Sequence, residues 1–366
     1  MKYMKIVIVT LLTMFFVSYA YADRTSDATE LDEMLAKANN TYWKGDYTKG
    51  IELAENALKY AEGKFKPKDL EIAGALYSLA LLYHHQGRNA EAESLYRKAL
   101  VIYENTYDSS DPKLASILYY MARNYHNEKK YDEALPLYEK ALKIYESKDE
   151  YIQDNYGEIR EILEGLGKIY DYKGDYNRGE NLFKKRIELS EKLRGPKNPE
   201  TLQMIYELSV FYLMRSKYDQ AKPVCEEALQ LSEEIYGRDN IKTNKYLEKM
   251  AEINYFKGNY EQVEIYRKKI LKISEDATIE AETELADSLE SLGGFYSVRG
   301  RFKEAEESYL RAQKILENSK IDRRQYLRFL FEHLSIMYKK MGKIEEAKKY
   351  EQEANKLKTK TKSVSF

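Results

Sequence analysis

The chain has 366 residues, of which 33% are charged and 43% hydrophobic, a composition compatible with a folded protein that has a sizeable core. Its 60 Lys and Arg residues nearly balance its 61 Asp and Glu residues, so no net charge directs it to nucleic acid or to an anionic membrane surface. Because it has a single cysteine, no internal disulfide can form, and stability must come from the core.

The N-terminal segment differs from the rest of the chain. Two lysines precede the apolar run 6–17, and small residues follow at Ala20 and Ala22, so residues 1–22 are predicted to be a cleaved secretory signal peptide. The apolar run is shorter than the roughly 20 residues that a membrane-spanning helix needs. We therefore expect a periplasmic or secreted protein with no stable membrane insertion after cleavage. An uncleaved N-terminal membrane anchor is the alternative.

A repeated unit begins soon afterwards and is clearest in residues 70–104. Apolar residues recur three or four positions apart on both sides of Gly87, which predicts two helices separated by a tight turn. The same pattern recurs every 42 residues, with one spacing of 45, and such a fixed period is typical of stacked repeats. The predicted turn residues are Gly45, Gly87, Lys129, Gly174, Ser216, Gly258, Gly300 and Gly342.

Other positions of the repeat are also restricted in the size of their side chains. The residue seven positions before the turn residue is always small, and small residues recur five and twelve positions after it in most units. Small residues at fixed positions, with large ones between them, allow helices to approach closely. An aromatic residue stands four positions before the turn residue in six units: Tyr83, Tyr125, Tyr170, Tyr212, Tyr296 and Tyr338.

This pattern resembles the tetratricopeptide repeat, and its 42-residue period is similar to that of the kinesin-light-chain type. The resemblance implies an all-α fold, a right-handed α-solenoid (superhelix) of about eight helix-turn-helix repeats. We place the solenoid at residues 29–357, after a flexible lead at 23–28 and before a frayed tail at 358–366.

Two departures from the repeat carry expectations of their own. Cys225 stands where other units have Tyr or Phe, so a buried packing role is expected for its thiol. In the sixth repeat, Val263 and Ile270 replace small residues, and Tyr266 is displaced by one position. Looser packing is therefore expected in this repeat.

The resemblance also implies that the first helices line a concave groove. Exposed aromatic residues beside charged ones suit recognition of a peptide or a partner helix. The helical period places four tyrosines on the side of the helix that faces away from the small residues: Tyr77, Tyr119, Tyr120 and Tyr206. Exposure in the groove is therefore expected for these side chains. The predicted groove residues are Tyr77, His84, Tyr119, Tyr120, Arg123, His126, Tyr172, Tyr206, Glu248, Tyr255, Glu290 and Glu332.

Two recognition modes of related repeats do not carry over. The co-chaperone type holds a terminal carboxylate with Lys and Asn; Asn39 matches one Asn position, but Leu35 stands where the Lys should be. The kinesin-light-chain type has paired asparagines before the small residue, where this chain has Tyr77-Ser78 and Tyr119-Tyr120. The specificity of either type therefore cannot be transferred.

No motif for catalysis, for a cofactor or for a metal is present in the sequence. Nucleotide-binding glycine loops, His-Glu-x-x-His, Cys-x-x-Cys and Gly-x-Ser-x-Gly are all absent. His84 and His126 occupy equivalent positions, but two imidazoles without a third ligand favour polar groove lining over a metal site.

The sequence therefore predicts an exported, non-enzymatic scaffold that binds a protein or peptide partner as a monomer or with weak self-association. Two alternatives stay open: a self-assembling structural repeat protein, and an enzyme that uses carboxylates of the inner face.

Overall fold

The computed structural model describes residues 24–41, 43–277, 282–319 and 323–359. These described residues form α-helices joined by turns, with one 3-10 helix at Ile241–Thr243 and no β-strand. The α-helices are α1 (24–41), α2 (Tyr47–Lys64), α3 (Leu70–His85), α4 (Asn89–Thr106), α5 (Pro112–Asn127), α6 (Tyr131–Tyr145), α7 (Asp149–Asp154), α8 (Tyr156–Tyr172), α9 (Tyr176–Arg194), α10 (Pro199–Leu213), α11 (Tyr218–Tyr236), α12 (Asn244–Phe256), α13 (Tyr260–Asp276), α14 (Glu282–Val298), α15 (Phe302–Asn318), α16 (Arg324–Lys340) and α17 (Ile344–Thr359). The predicted all-α architecture of helical hairpins is confirmed.

The turn inside each hairpin is set by one residue in the left-handed conformation. All eight predicted turn residues have positive φ angles, including the two that are not glycine, Lys129 (φ 60°) and Ser216 (φ 56°). In the second hairpin, the backbone N–H of Arg88 donates to the carbonyl of Tyr83 at 2.8 Å, which satisfies a carbonyl at the helix end. The predicted turn positions are therefore confirmed.

Successive hairpins are joined by a recurring hydrogen bond. The tyrosine four positions before the turn residue donates its hydroxyl to a glutamate on the second helix of the preceding hairpin. The pairs are Tyr83 and Glu55, Tyr125 and Glu93, Tyr170 and Glu139, Tyr296 and Glu264, and Tyr338 and Glu306. A basic residue covers several of these rings; for example, the guanidinium carbon of Arg88 lies 4.1 Å from the ring centroid of Tyr83. These contacts involve five of the 35 tyrosines of the chain.

The chain divides into two compact units, and the boundary falls inside α9, after Leu182. Unit 1 contains α1 to α8 and the start of α9, with fully buried residues such as Ile117 and Ile162 between its helices. Unit 2 contains the rest of α9 and α10 to α17, with a core that includes Leu292 and Leu334. In each unit, neighbouring helices pack pairwise along the chain, as expected for repeats that contact only their neighbours.

The two departures from the repeat behave differently. Cys225 is fully buried, as expected, and burial raises the pKa of its thiol to about 12. In the sixth repeat, by contrast, Val263 is fully buried and Ile270 lies in an apolar cluster with Leu247 and Ile273, and the expectation of looser packing stays a prediction.

Both predicted ends of the repeat region need correction. Residues 24–28, expected to be a flexible lead, belong to α1, where Arg24 pairs with Asp69 at 3.2 Å. Lys358, assigned to a frayed tail, belongs to α17 and pairs with Glu332 at 3.0 Å. The predicted signal peptide and the tail beyond residue 359 lie outside the described residues. Within the described part of the chain, we find no helix with the length and hydrophobicity needed to cross a bilayer.

A small residue is required where Tyr309 packs against α14. A Cβ atom at Gly293 would lie 2.9 Å from the ring of Tyr309, whereas one at Gly294 would lie 3.6 Å from its hydroxyl. We therefore expect Gly293→Ala to lower the free energy of unfolding by about 1–3 kcal/mol through overpacking. Gly294→Ala is the matched control and should raise it by up to about 1 kcal/mol, because alanine favours a helix over glycine. Urea unfolding followed by circular dichroism measures both, and equal effects of the two changes would refute the packing argument.

Candidate functional site

The twelve predicted groove residues fall into two sets, one in each unit. Unit 1 holds Tyr77, His84, Tyr119, Tyr120, Arg123, His126 and Tyr172, and unit 2 holds Tyr206, Glu248, Tyr255, Glu290 and Glu332.

In unit 1, Tyr119 lies in the middle of an aromatic cluster. Its ring centroid is 4.6 Å from that of Tyr120, which lies 5.8 Å from Tyr77 on the neighbouring first helix. Only 2% of Tyr119 is exposed, so the expected groove exposure is wrong for this residue. The reason is that Tyr138 from α6 packs beside it and Glu161 from α8 accepts its hydroxyl hydrogen. Tyr77 and Tyr120 are half-buried.

A chain of polar contacts connects Tyr77 to α8. Its hydroxyl lies 3.2 Å from Ser116 Oγ, which donates to Glu158 Oε1 at 3.2 Å. Tyr145 donates to the other oxygen of the same carboxylate. Burial raises the pKa of Glu158, although its hydrogen bonds favour the ionised form. These hydroxyl groups are used inside the protein, which makes this part of the cluster a structural network.

Arg123 takes part in a second group of polar contacts, around Tyr119. Its guanidinium lies 3.2 Å from a carboxylate oxygen of Glu161 and donates to the hydroxyl of Tyr119 at 3.2 Å. A cavity of about 390 Å³ opens beside these groups, and Arg160 and Lys168 also line it. The cavity therefore presents charges of both signs.

The two histidines are held by internal contacts. His84 is 5% exposed, and its Nδ1 lies 3.1 Å from Asn124 Oδ1, so the prediction that it lines an open groove is wrong. Burial lowers the pKa of His84. The ring of His126 contacts the edges of Tyr131 and Tyr138. Across the described residues, no three His, Cys, Asp or Glu side chains come together in a way that could hold a metal ion.

The different burial of two predicted aromatic residues can be tested. Tyr119→Ala should lower the free energy of unfolding by about 3–5 kcal/mol, because it leaves a cavity and removes a hydrogen bond to Glu161. Tyr172, which is 75% exposed, is the control, and Tyr172→Ala should change it by less than about 1 kcal/mol. Chemical unfolding followed by circular dichroism distinguishes the two. A stable Tyr119→Ala variant would restore the original expectation of a free groove residue.

Exposed apolar side chains recur two positions before the turn residue. Tyr172 contacts Tyr131 at 4.7 Å between ring centroids, and Phe256 stacks on Tyr218 at 5.2 Å and also contacts Tyr255 at 5.8 Å, so both exposed rings are supported by neighbouring aromatic rings. The exposed members of this row are Trp43 and Tyr172 in unit 1, and Met214, Phe256 and Val298 in unit 2. Met214 and Val298 were not expected on this surface, although their spacing of whole repeats was visible in the sequence.

In unit 2, a groove of about 660 Å³ lies on the first helices α12, α14 and α16. The predicted residues Glu248, Tyr255 and Glu290 all line it. Arg267 and Tyr309 reach into the groove from the second helices α13 and α15. We name this surface, lined also by Phe256, Asp287, Val298, His333, Ile336 and Lys340, the unit 2 groove.

Carboxylates dominate the charge of the unit 2 groove. Burial and the neighbouring Glu290 raise the pKa of Asp287 to about 6. His333 Nδ1 lies 2.7 Å from Glu290 Oε1, and this contact raises the pKa of the imidazole. In the described part of the chain, neither Glu248 nor Asp287 has an ion-pair or hydrogen-bond partner for its side chain. The groove therefore offers two carboxylates that are available to a ligand.

Arg267 is a functional candidate that sequence reasoning missed. Nine positions after the turn residue, other repeats have Tyr96, Tyr138, Phe183, Cys225 and Tyr309, whereas the sixth repeat has arginine. Its guanidinium donates to the backbone oxygen and to the hydroxyl of Ser291. Burial lowers the pKa of Arg267, and nearby Glu248 opposes this change. The displacement of Tyr266 was the sequence signal for this substitution.

The two remaining predicted residues lie outside the lining of the unit 2 groove. Tyr206 is half-buried against Tyr246, with 5.4 Å between ring centroids, and the ammonium of Lys245 lies 5.1 Å from its ring. Glu332 is bound to Lys358 of α17. Tyr206 and Glu332 therefore contact other residues of unit 2 and do not line its groove.

The raised pKa of Asp287 makes a prediction about stability and pH. The pKa is about 6 in the folded chain and 3.8 without the protein environment, so the ionised carboxylate destabilises the fold above pH 6. This cost falls as the pH drops and the folded form takes up a proton. Asp287→Asn should therefore raise the free energy of unfolding at pH 7.5 by about 1 kcal/mol, since water screens this exposed group, and by less at pH 4.5.

Urea midpoints at the two pH values measure this effect. Glu261→Gln, which changes an exposed carboxylate on α13, is the control and should show no such pH-dependent gain. A gain for Asp287→Asn that is equal at both pH values would contradict the assignment.

Comparison with known sequences and structures is consistent with this architecture. A family profile described as "Tetratricopeptide repeat" matches residues 30–105 and 71–147, and a second profile with the same description matches residues 201–241. No curated protein matched the sequence.

Among solved structures, the C-terminal part of a repeat-containing protein from Cytophaga hutchinsonii has a TM-score of 0.54 and 16% identity, over 78% of this chain and 96% of that one. A putative kinesin light chain with nearly identical repeats, from Podosopora anserina, has a TM-score of 0.49 and 18% identity, over 57% and 96%. A repeat protein from Parabacteroides merdae has a TM-score of 0.43 and 18% identity, over 84% and 99%. The Cytophaga hutchinsonii structure is the one of these three with a TM-score above 0.5. At 16% identity, its similarity to this chain concerns the fold alone.

Proposed function

Because the chain belongs to the tetratricopeptide repeat family, we propose that it is an exported, non-enzymatic scaffold that binds a segment of a partner protein in the unit 2 groove. The family commonly mediates interactions between proteins. Export is proposed from the signal-like pattern of residues 1–22.

The observation that carries the proposal is the exposed, mixed surface of this groove. Phe256 is 54% exposed in a groove that also contains unpartnered carboxylates. An aromatic side chain that already stacks on Tyr218 loses little freedom on binding, which suits it to anchor a ligand. Val298 and Ile336 extend the apolar surface on the next two first helices.

The enzyme alternative has less support. Asp287 has a perturbed pKa, but its side chain is exposed, and so is that of Glu248. A pair of buried, close carboxylates would favour acid–base chemistry. The surface is better suited to recognition than to catalysis.

Site-specific photocrosslinking tests the binding function. A photoreactive phenylalanine analogue at position 256 should form a discrete covalent adduct with a second protein in an extract of the source cells. The same analogue at Ile265 is the matched control, because that residue is 50% exposed but lies on the second helix α13, away from the groove. Mass spectrometry identifies the adduct.

The two positions give distinct outcomes. An adduct from position 256 that is absent from position 265 supports groove binding. Identical products from both positions, or none from either, contradict it. An adduct with a second copy of this chain would favour the self-assembly alternative.

A further inference from the structure

The first helices of unit 2 present two rows of different chemistry. Ten positions before the turn residue, glutamate recurs in three successive repeats, at Glu248, Glu290 and Glu332. Two positions before it, the first two of these repeats have the exposed apolar residues Phe256 and Val298. Since these positions recur on α12 and α14, both rows run from one first helix to the next, and one side of the unit 2 groove is acidic while the other is apolar.

We propose that the unit 2 groove binds an amphipathic helical segment of a protein, with Lys or Arg side chains over the acidic row and apolar side chains over Phe256 and Val298. This inference rests on the proposed function and specifies the chemistry of the partner. It commits to a basic segment because of charge complementarity, since Glu248 and Asp287 have no ion-pair or hydrogen-bond partner among the described side chains.

The charges of the groove favour this choice. Four carboxylates line it, namely Glu248, Glu252, Asp287 and Glu290, against two permanently cationic side chains. One of these, Arg267, is occupied by Ser291. The other, Lys340, lies at the α16 end of the apolar row, so the region over α12 and α14 is the most favourable for basic side chains.

The distance between the rows fits one helix. Glu248 and Phe256 are eight residues apart on α12, which corresponds to about 12 Å along the helix axis at 1.5 Å per residue. An α-helix with its side chains is about 10–12 Å wide. A helix that runs from repeat to repeat can therefore contact the acidic row with one side and the apolar row with the other.

Synthetic peptides test the chemistry directly. An 18-residue amphipathic peptide with Leu on one face and Lys on the adjacent face is mixed with the purified full chain, and binding is followed by fluorescence anisotropy. We expect it to bind at least about tenfold more tightly than the same peptide with Glu in place of Lys, and to weaken as salt concentration rises. A peptide of the same composition without an apolar face should also bind more weakly.

Two double variants locate the site. Glu248→Gln with Asp287→Asn should weaken binding of the Lys peptide by about 3- to 10-fold and reduce its salt dependence. Glu261→Gln with Glu307→Gln removes two exposed carboxylates from the second helices α13 and α15, and should leave binding unchanged. Circular dichroism verifies that both variants are folded.

The outcomes separate this inference from the proposed function. Equal binding of the Lys and Glu peptides, or equal effects of the two double variants, overturns the inference. If position 256 crosslinks to a partner but the Lys peptide does not bind, the groove function stands and the basic partner is refuted. If neither result is obtained, both proposals fail.

Discussion

In five hairpins the hydroxyl of a tyrosine attaches the hairpin to the preceding one, and the placement of neighbouring first helices depends on this recurring contact. In Tyr83 and its equivalents, the ring fills space between helices while the hydroxyl reaches a glutamate of the neighbouring repeat. A phenylalanine would provide the packing but would leave the carboxylate without its donor. A single hairpin cannot bury its apolar face alone, so this repeated contact contributes both to the stability of the stack and to the alignment of successive first helices.

Because the first helices are aligned, side chains at equivalent positions of successive repeats form rows on one surface. The chemistry of such a row is set by positions at which the repeat does not restrict the residue type. The residue types ten positions and two positions before the turn residue differ between repeats, so the repeat itself does not fix their chemistry. Tyr77 and Tyr119 occupy the first of these positions in unit 1, and Glu248 and Glu290 occupy it in unit 2. The same repeat position therefore holds tyrosines whose hydroxyls are bonded inside unit 1, and glutamates that line the groove in unit 2.

Much of the fold was predictable, because the 42-residue period can be read directly from the sequence and because the recurring glycines mark turns that need a positive φ angle. The exposure of individual groove residues was less accessible. Helical periodicity does not show that Tyr138 of α6 packs beside the ring of Tyr119, and it carries no information about Glu161, which comes 42 residues later and accepts the hydroxyl hydrogen of Tyr119. The same limit of sequence-based prediction applies to Arg267. The displacement of Tyr266 by one residue does not show that the guanidinium of Arg267 contacts Ser291.

The contrast between the units also bears on where recognition occurs. A side chain that already satisfies its hydrogen bonds gains little from a ligand, because binding must first break the internal contact. This condition applies to Tyr119, whose hydroxyl is bound to Glu161, and to His84, which contacts Asn124. It does not apply to Glu248 and Asp287, which face solvent beside the exposed ring of Phe256. Under the proposed function, a ligand of the unit 2 groove would therefore meet two carboxylates, Glu248 and Asp287, that have no ion-pair or hydrogen-bond partner among the described residues.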